Sequence, residues 1–398
     1  TAADNTLIGY DAGTAITTGD KSVAVGNYAL DVVTTTGSHT AIGYQSLSAN
    51  TTGQQQTGVG AYALAGNTTG TQNVAIGWGA INANTTGDYN VALGFAAMYN
   101  GSGGGSANIA IGRYSLYENT TGSANICAGA NTLQNNTTGS NNVAVGGNAL
   151  QTNTTGATNT AVGKNALNDN TTANDNTAVG NEALSKNTTG LRNTAVGSNA
   201  LDANTTANDN TAFGYDALTA NTTGGENTAV GRNSLAASTT GINNTGLGYG
   251  ALSVSTTASY NTSVGSHSLQ DTTTGSSNTA VGYLALGDNT TGVYNNAVGR
   301  DALKLNTTGG RNIAFGSFTL DANTTGGYNT AIGHEALTAN TTAAYNTAVG
   351  NYAMGVNTTG AQCVAVGAYA LDANTTADYN TAVGYNSLTT NTTGSYNV

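Results

Sequence analysis

The chain has 398 residues, enough for two or three ordinary domains on length alone. Only 7% are charged, 56 are Gly and none is Pro, which excludes collagen, Pro-rich linkers and an ordinary charge-rich disordered chain. A net charge of −11 with nine Lys and Arg excludes a phosphate-binding surface, so no nucleic-acid partner is expected.

From the N-terminus onward, a Gly closes a short β-branched segment at residues 9, 26, 43, 60, 77 and 94. After one extra residue it returns at 112, and then every 17 residues to Gly384. The chain is therefore 23 copies of one unit, N-T-A-V-G-x-x-A-L-x-x-N-T-T-G-x-x, with positions 1 to 17. A fixed period of this kind signals a repeat architecture. Position 1 is Asn in 19 copies and is replaced by Ser22, His39, Gln56 and Cys363 in the others. Position 2 is Thr, Val or Ile except at Asn296, position 3 is small except at Leu7, and position 4 is mostly Val. Position 9 is nearly always Leu, as at Leu47, Leu184 and Leu303, and Asn-Thr-Thr fills positions 12 to 14 in 17 copies.

The alternation across positions 2 to 4 predicts a short strand with a β-branched face and a small-residue face. "NVAIG" (73–77), "NIAIG" (108–112) and "NVAVG" (142–146) have both outer positions apolar. The stretch x-A-L-x-x-N-T-T reads as a second short strand, with Gly at positions 5 and 15 marking the corners. Position 15 accepts Ala173, Ala207, Ala258, Ala343 and Ala377, so left-handed backbone is not required there. Helical repeats need about 33 residues or more for a helix pair, and Gly and Thr-Asn clusters interrupt every candidate helix. The fold predicted is all-β: one continuous parallel β-solenoid, or β-roll, of 23 coils over residues 1–398. Stacking turns positions 2, 4 and 9 into apolar rows and position 1 into an Asn ladder bonded from coil to coil. The β-branched face needs a close partner, either the other wall of the roll or another chain. At about 4.8 Å per strand the array predicts a rod of roughly 110 Å.

"NVAIG", "SVAVG" (22–26) and "NTAVG" (193–197), each followed by x-x-A/S, resemble the head repeats of the YadA-like trimeric autotransporter adhesins. The resemblance spans the chain at the level of the repeat. It implies a left-handed parallel β-roll, three chains side by side, carried outward from a bacterial outer membrane. The present repeat is longer than the family's through its Asn-Thr-Thr corner, and similar arrays occur in phage tail fibres.

Little in the chain reads as catalytic. His39, His267 and His334 fall in different copies and at different repeat positions, and neither a Ser–His–Asp set nor paired carboxylates recur. No cofactor or metal is expected. "NDN" at 174–176 and 208–210, with Asp202, Asp321 and Asp372, could offer oxygen ligands to calcium, but solvated acids are the reading favoured. Cys127 and Cys363 lack metal-ligand spacing and read as buried or spare thiols. "NGSGGGS" (100–106) reads as a loosened corner at the extra residue. The Asn-Thr-Thr rows match glycosylation sequons, Asn50 and Asn67 among them, yet sites about 4.8 Å apart are too crowded for uniform glycans, and a structural ladder is favoured. The adjacent Thr at 13 and 14 would point to opposite faces of a strand, so they do not write a flat ice-binding surface.

Of 20 Tyr, 18 stand at positions 6, 7 and 17 beside the corners. Position 17 holds Tyr89, Tyr260, Tyr294, Tyr328, Tyr345, Tyr379 and Tyr396, which read either as contacts to another chain or surface, or as packing over the corners. No apolar run approaches the roughly 20 residues that span a bilayer. Thr1–Asn5 and Asn397–Val398 fall in phase inside the repeat, which predicts a window on a longer array or subunits joined end to end. The function expected is a structural, non-enzymatic subunit of an extracellular fibre on a cell surface or virion, associating with itself as a homotrimer or homopolymeric filament. The alternatives are an adhesin for a host or surface ligand, and an ice-binding module.

Overall fold

The structure is a computed structural model that describes residues 2–101 and 103–398. Of the Gly-rich segment 100–106, Ser102 lies outside the described residues. The chain divides into two units, Thr1–Thr206 and Ala207–Val398, each a parallel β-solenoid with the 17-residue period read from the sequence.

In the first unit, three-residue strands occupy positions 2 to 4 of every copy, from β1 (Thr6–Ile8) to β12 (Thr194–Val196). The spacing lengthens by one residue only between β6 (Val91–Leu93) and β7 (Ile109–Ile111). Within the unit each strand pairs in parallel with the next, in register with the same positions of the following copy. Thus β11 (Thr177–Val179) sets Thr177, Ala178 and Val179 against Thr194, Ala195 and Val196. In the second unit, β13 (Thr211–Phe213) to β23 (Thr381–Val383) repeat the pattern, for example with Thr228, Ala229 and Val230 against Thr245, Gly246 and Leu247. No helix occurs among the described residues.

The rest of each coil differs from expectation. The stretch x-A-L-x-x is a run of turns, not a second strand. Its cause is a backbone pattern that recurs through both units: positions 7, 9 and 17 adopt left-handed φ, and apart from Gly13, Gly79 and Gly250 they do so without being glycine. In one coil of the first unit these are Glu182 (57°), Leu184 (53°) and Arg192 (55°). Left-handed backbone costs a non-glycine residue roughly 1–2 kcal/mol, and here it reorients successive side chains. In a strand Ala at 8 and Leu at 9 would face opposite ways; after the left-handed turn both Ala183 and Leu184 lie fully buried. The turns keep their hydrogen bonds by bonding to the neighbouring coil, as Leu184 N–H does to Ala200 O at 2.9 Å and Thr188 N–H to Thr205 O at 2.9 Å.

The interior is narrow, and its contents follow from that. Ala178, Ala183 and Leu184 fill one coil, and the same three positions fill most others. Positions 2 and 4 do not join Leu at position 9 inside. Only the small residue at position 3 fits opposite that Leu, so the β-branched face turns outward, as Ile76, Ile111 and Val179 do. The other wall of the roll is therefore not its partner.

Two amide ladders run through the wall of the coils. At position 1, Asn125 donates its backbone N–H and its Nδ2 to Asn108 Oδ1 at 3.0 and 3.1 Å, and Nδ2 also to Gly139 O at 2.9 Å. This is the ladder the sequence predicts. At position 12, Asn153 Nδ2 donates to Asn136 Oδ1 at 2.8 Å and to Gly156 O at 2.9 Å, while its Oδ1 accepts from Asn170 Nδ2 at 2.8 Å. The Asn of these Asn-Thr-Thr corners, Asn50 and Asn67 included, is thus buried and structural in every one but the last, where Asn391 is half-buried. Thr at position 13 donates to the next coil, as Thr137 Oγ1 does to Thr154 O at 3.0 Å, and Thr at 14 is exposed.

Candidate functional site

With the interior filled, function falls to the outside, which carries three kinds of row. The first is the outer sheet face at positions 2 and 4. Position 2 is β-branched in every copy except at Asn296, and neither position holds a charged residue in any copy. In the first unit Ile76, Ile111 and Val145 stand exposed on it at 41%, 43% and 37%. In the second unit Phe213, Leu247 and Phe315 stand on the same row. The parallel register places each side chain beside its counterpart in the next coil, so the rows are straight and regular.

The second row is position 17, where the seven predicted tyrosines stand. All are exposed, from 45% at Tyr379 to 75% at Tyr396, and all adopt left-handed φ of 60–62°. Tyr328 and Tyr345 stack at 4.9 Å between centroids, as do Tyr379 and Tyr396. The Arg311 guanidinium, also at position 17, lies 5.4 Å from the Tyr294 ring and 5.2 Å from that of Tyr328, and its Nη1 donates to Tyr328 Oη at 2.6 Å. These five tyrosines and Arg311 pack over the corner along the coils, and all five tyrosines remain exposed. Tyr89 and Tyr260 have no aromatic residue at position 17 of either adjoining copy.

The third row is one the sequence reading missed. Aromatics at positions 6 and 7 of successive copies interleave into a ladder in the first unit, with centroids 5.5 Å apart for Tyr10 and Tyr28 and 5.4 Å for Tyr44 and Tyr62. Trp78 continues it, and the two tyrosines at position 10, Tyr99 and Tyr117, complete it. The signal was present: each of the first seven copies carries an aromatic at position 6 or 7. The second unit has shorter versions, such as Tyr249–His267–Tyr283.

The predicted polar candidates are not brought together. His39 is buried in the position-1 ladder beside Thr36 Oγ1 at 3.2 Å, and burial pushes its imidazole down to about 4. His267 bonds Ser266 at 2.9 Å, and His334 lies 6.1 Å from the Phe318 ring. Among the described residues no three His, Cys, Asp or Glu side chains converge to hold a metal ion. Asn176 and Asn210 of the two NDN segments are buried ladder residues, and Asp321 accepts from Thr338 at 2.6 Å. Cys127 and Cys363 are buried, free thiols, both pushed up by burial. Among the described residues no helix is long and apolar enough to cross a membrane. No family model matches the chain, and no curated protein matches it.

Proposed function

We propose that this chain is a structural, non-enzymatic subunit of an extracellular fibre that associates with itself through the outer face of its strands, as a homotrimer or a larger homopolymer. One observation carries the reading: the face at positions 2 and 4 is uncharged and mostly β-branched in both units, yet its largest side chains stand in water. Exposed apolar side chains in a row, as Ile76, Ile111, Val145, Phe213, Leu247 and Phe315 are at position 4, mark association surfaces. A second copy of the same regular face is a matching partner, because the same spacing recurs on both. The YadA-like resemblance of the repeat accords with three chains side by side.

Sedimentation tests it. The wild-type chain should sediment as a trimer or larger, and Val145→Lys with Val179→Lys should return it to a monomer with unchanged circular dichroism. A wild-type monomer of 39.3 kDa at micromolar concentration would overturn the reading.

A second reading, ice binding, gains support from an unexpected place. The Thr at 13 are mostly half-buried and donate to the next coil, but Thr at 2 and Val at 4 stand outward together, as in Thr177-Ala-Val179 and Thr194-Ala-Val196. Inhibition of ice recrystallisation by a monomeric wild-type chain, lost on Thr177→Lys, would favour this reading over self-association.

A further inference from the structure

We propose that the aromatic row from Tyr10 to Tyr117 is a one-electron relay that carries oxidising equivalents along the coils of the first unit. The row is continuous. From Tyr10 and Tyr28 it passes to Tyr44 at 6.2 Å between centroids, then through Tyr62 to Trp78 at 6.0 Å. At Trp78 it divides. One branch runs through Phe95, stacked on Trp78 at 4.9 Å, to Tyr114 at 5.6 Å. The other runs through Tyr99, stacked on Trp78 at 5.6 Å, to Tyr117 at 5.6 Å and on to Tyr114 at 5.4 Å.

The composition of the branches matters. Phenols and indoles give up one electron at potentials ordinary oxidants reach, whereas a phenyl ring does not. Phe95 would therefore interrupt the row if positions 6 and 7 were its whole content. Tyr99 and Tyr117, the only two tyrosines outside positions 6, 7 and 17, supply an oxidisable path around it. Neighbouring rings meet edge to face or stacked, so each lies in contact with the next, which favours passage from ring to ring. Tyr10, Tyr44 and Trp78 are exposed, which gives their protons direct access to water.

Each step balances. A one-electron oxidant of the peroxyl or ferryl class takes an electron from the first ring, and a tyrosine so oxidised releases its phenolic proton to water as it becomes a phenoxyl radical. When the next ring supplies an electron, the phenoxyl takes a proton back from water and is a phenol again. Trp78 passes the electron in the same way, losing and regaining its indole proton. The net result is one electron delivered to the oxidant, one proton released to water, and a radical displaced to the far ring.

The test uses the full chain with one exposed residue next to the Tyr117 end changed, Asn135→Cys, bearing a ruthenium polypyridyl photo-oxidant. Both native cysteines are buried, so the label goes to residue 135. Photo-oxidation with an irreversible cobalt(III) acceptor, followed by peptide mapping, should place oxidation products at Tyr10 and Tyr28. In Tyr44→Phe/Tyr62→Phe those products should disappear while products at Trp78 and Tyr99 remain. Tyr99→Phe should confine them to Tyr114 and Tyr117, and Phe95→Leu should leave the wild-type pattern. The Phe variants keep the rings and the fold, which circular dichroism verifies, so a packing role alone would not move the pattern. Products confined to Tyr114 and Tyr117 in the wild type, or unchanged at Tyr10 and Tyr28 in the double variant, would overturn the proposal.

Discussion

Gly180→Ala should open the coils around β11, and its cost can be worked from the geometry. Gly180 ends the strand with φ of 140°, a backbone region in which a side chain costs about 1–3 kcal/mol. A Cβ there would also lie 2.6 Å from the carbonyl carbon of Gly197 in the next coil, and closer still to its oxygen. Relief requires the two coils to part, which stretches the 2.8 Å bond from Gly197 N–H to Val179 O at a further cost of about 1 kcal/mol. The sum is about 2–4 kcal/mol, or roughly a 30- to 800-fold rise in local opening. Gly156→Ala is the control. Its added Cβ would overlap the Ala173 carbonyl, but its φ is not left-handed. Position 15 already holds Ala173 in the next coil, where Asn170 Nδ2 keeps its 3.1 Å bond to the Ala173 carbonyl. That variant should change stability by less than about 1 kcal/mol. Hydrogen exchange read by mass spectrometry over residues 160–200 measures both. Equal protection in the two variants would refute the claim that backbone conformation, more than space, reserves position 5 for glycine.

Asn153→Asp removes two donors and sets a carboxylate against Asn136 Oδ1 and Gly156 O. It should cost about 3–5 kcal/mol at neutral pH and recover in part in acid, where a protonated carboxyl donates again; urea melts at the two pH values measure this. His39 stays neutral in the fold down to about pH 4, whereas unfolded it takes a proton near pH 6.5. Its contribution of about 3 kcal/mol is whole above pH 6.5, declines as pH falls through that window, and is gone below pH 4. Exchange protection over residues 23–59 should follow this curve, and His39→Asn should flatten it. Cys127 and Cys363 should not react with a disulfide reagent in the folded chain at neutral pH, and both should react in denaturant.

The period, the strand at positions 2 to 4, its parallel register and the position-1 ladder were legible in the sequence, because each depends on a residue type recurring at fixed spacing. The side of the strand that faces inward was not. Alternation says that Ala178 and Val179 face opposite ways, but only the narrow bore beside Leu184 decides which of them is inside. The turns at positions 6 to 11 were hidden for another reason. Leu201 carries no mark of its left-handed backbone, so x-A-L-x-x resembled a strand. The tyrosine positions were legible one at a time, but the ladder from Tyr10 to Tyr117 depends on rings at positions 6, 7 and 10 interleaving across coils, a relation that a position-by-position reading separates.

The amide ladders give each unit a direction. Along most of position 12 the Nδ2 points to the coil before it, as Asn136 does to Asn119, Asn153 to Asn136 and Asn170 to Asn153. In the second unit Asn323 points to Asn306 and Asn340 to Asn323 in the same sense. Side-chain dipoles aligned this way add instead of cancelling, so a stack of coils is polarised like a short row of magnets set nose to tail. A coil arriving the right way round extends the row. A coil arriving reversed would bring NH2 against NH2 or oxygen against oxygen, so the stack is able to tell its two directions apart without any residue reserved for the purpose.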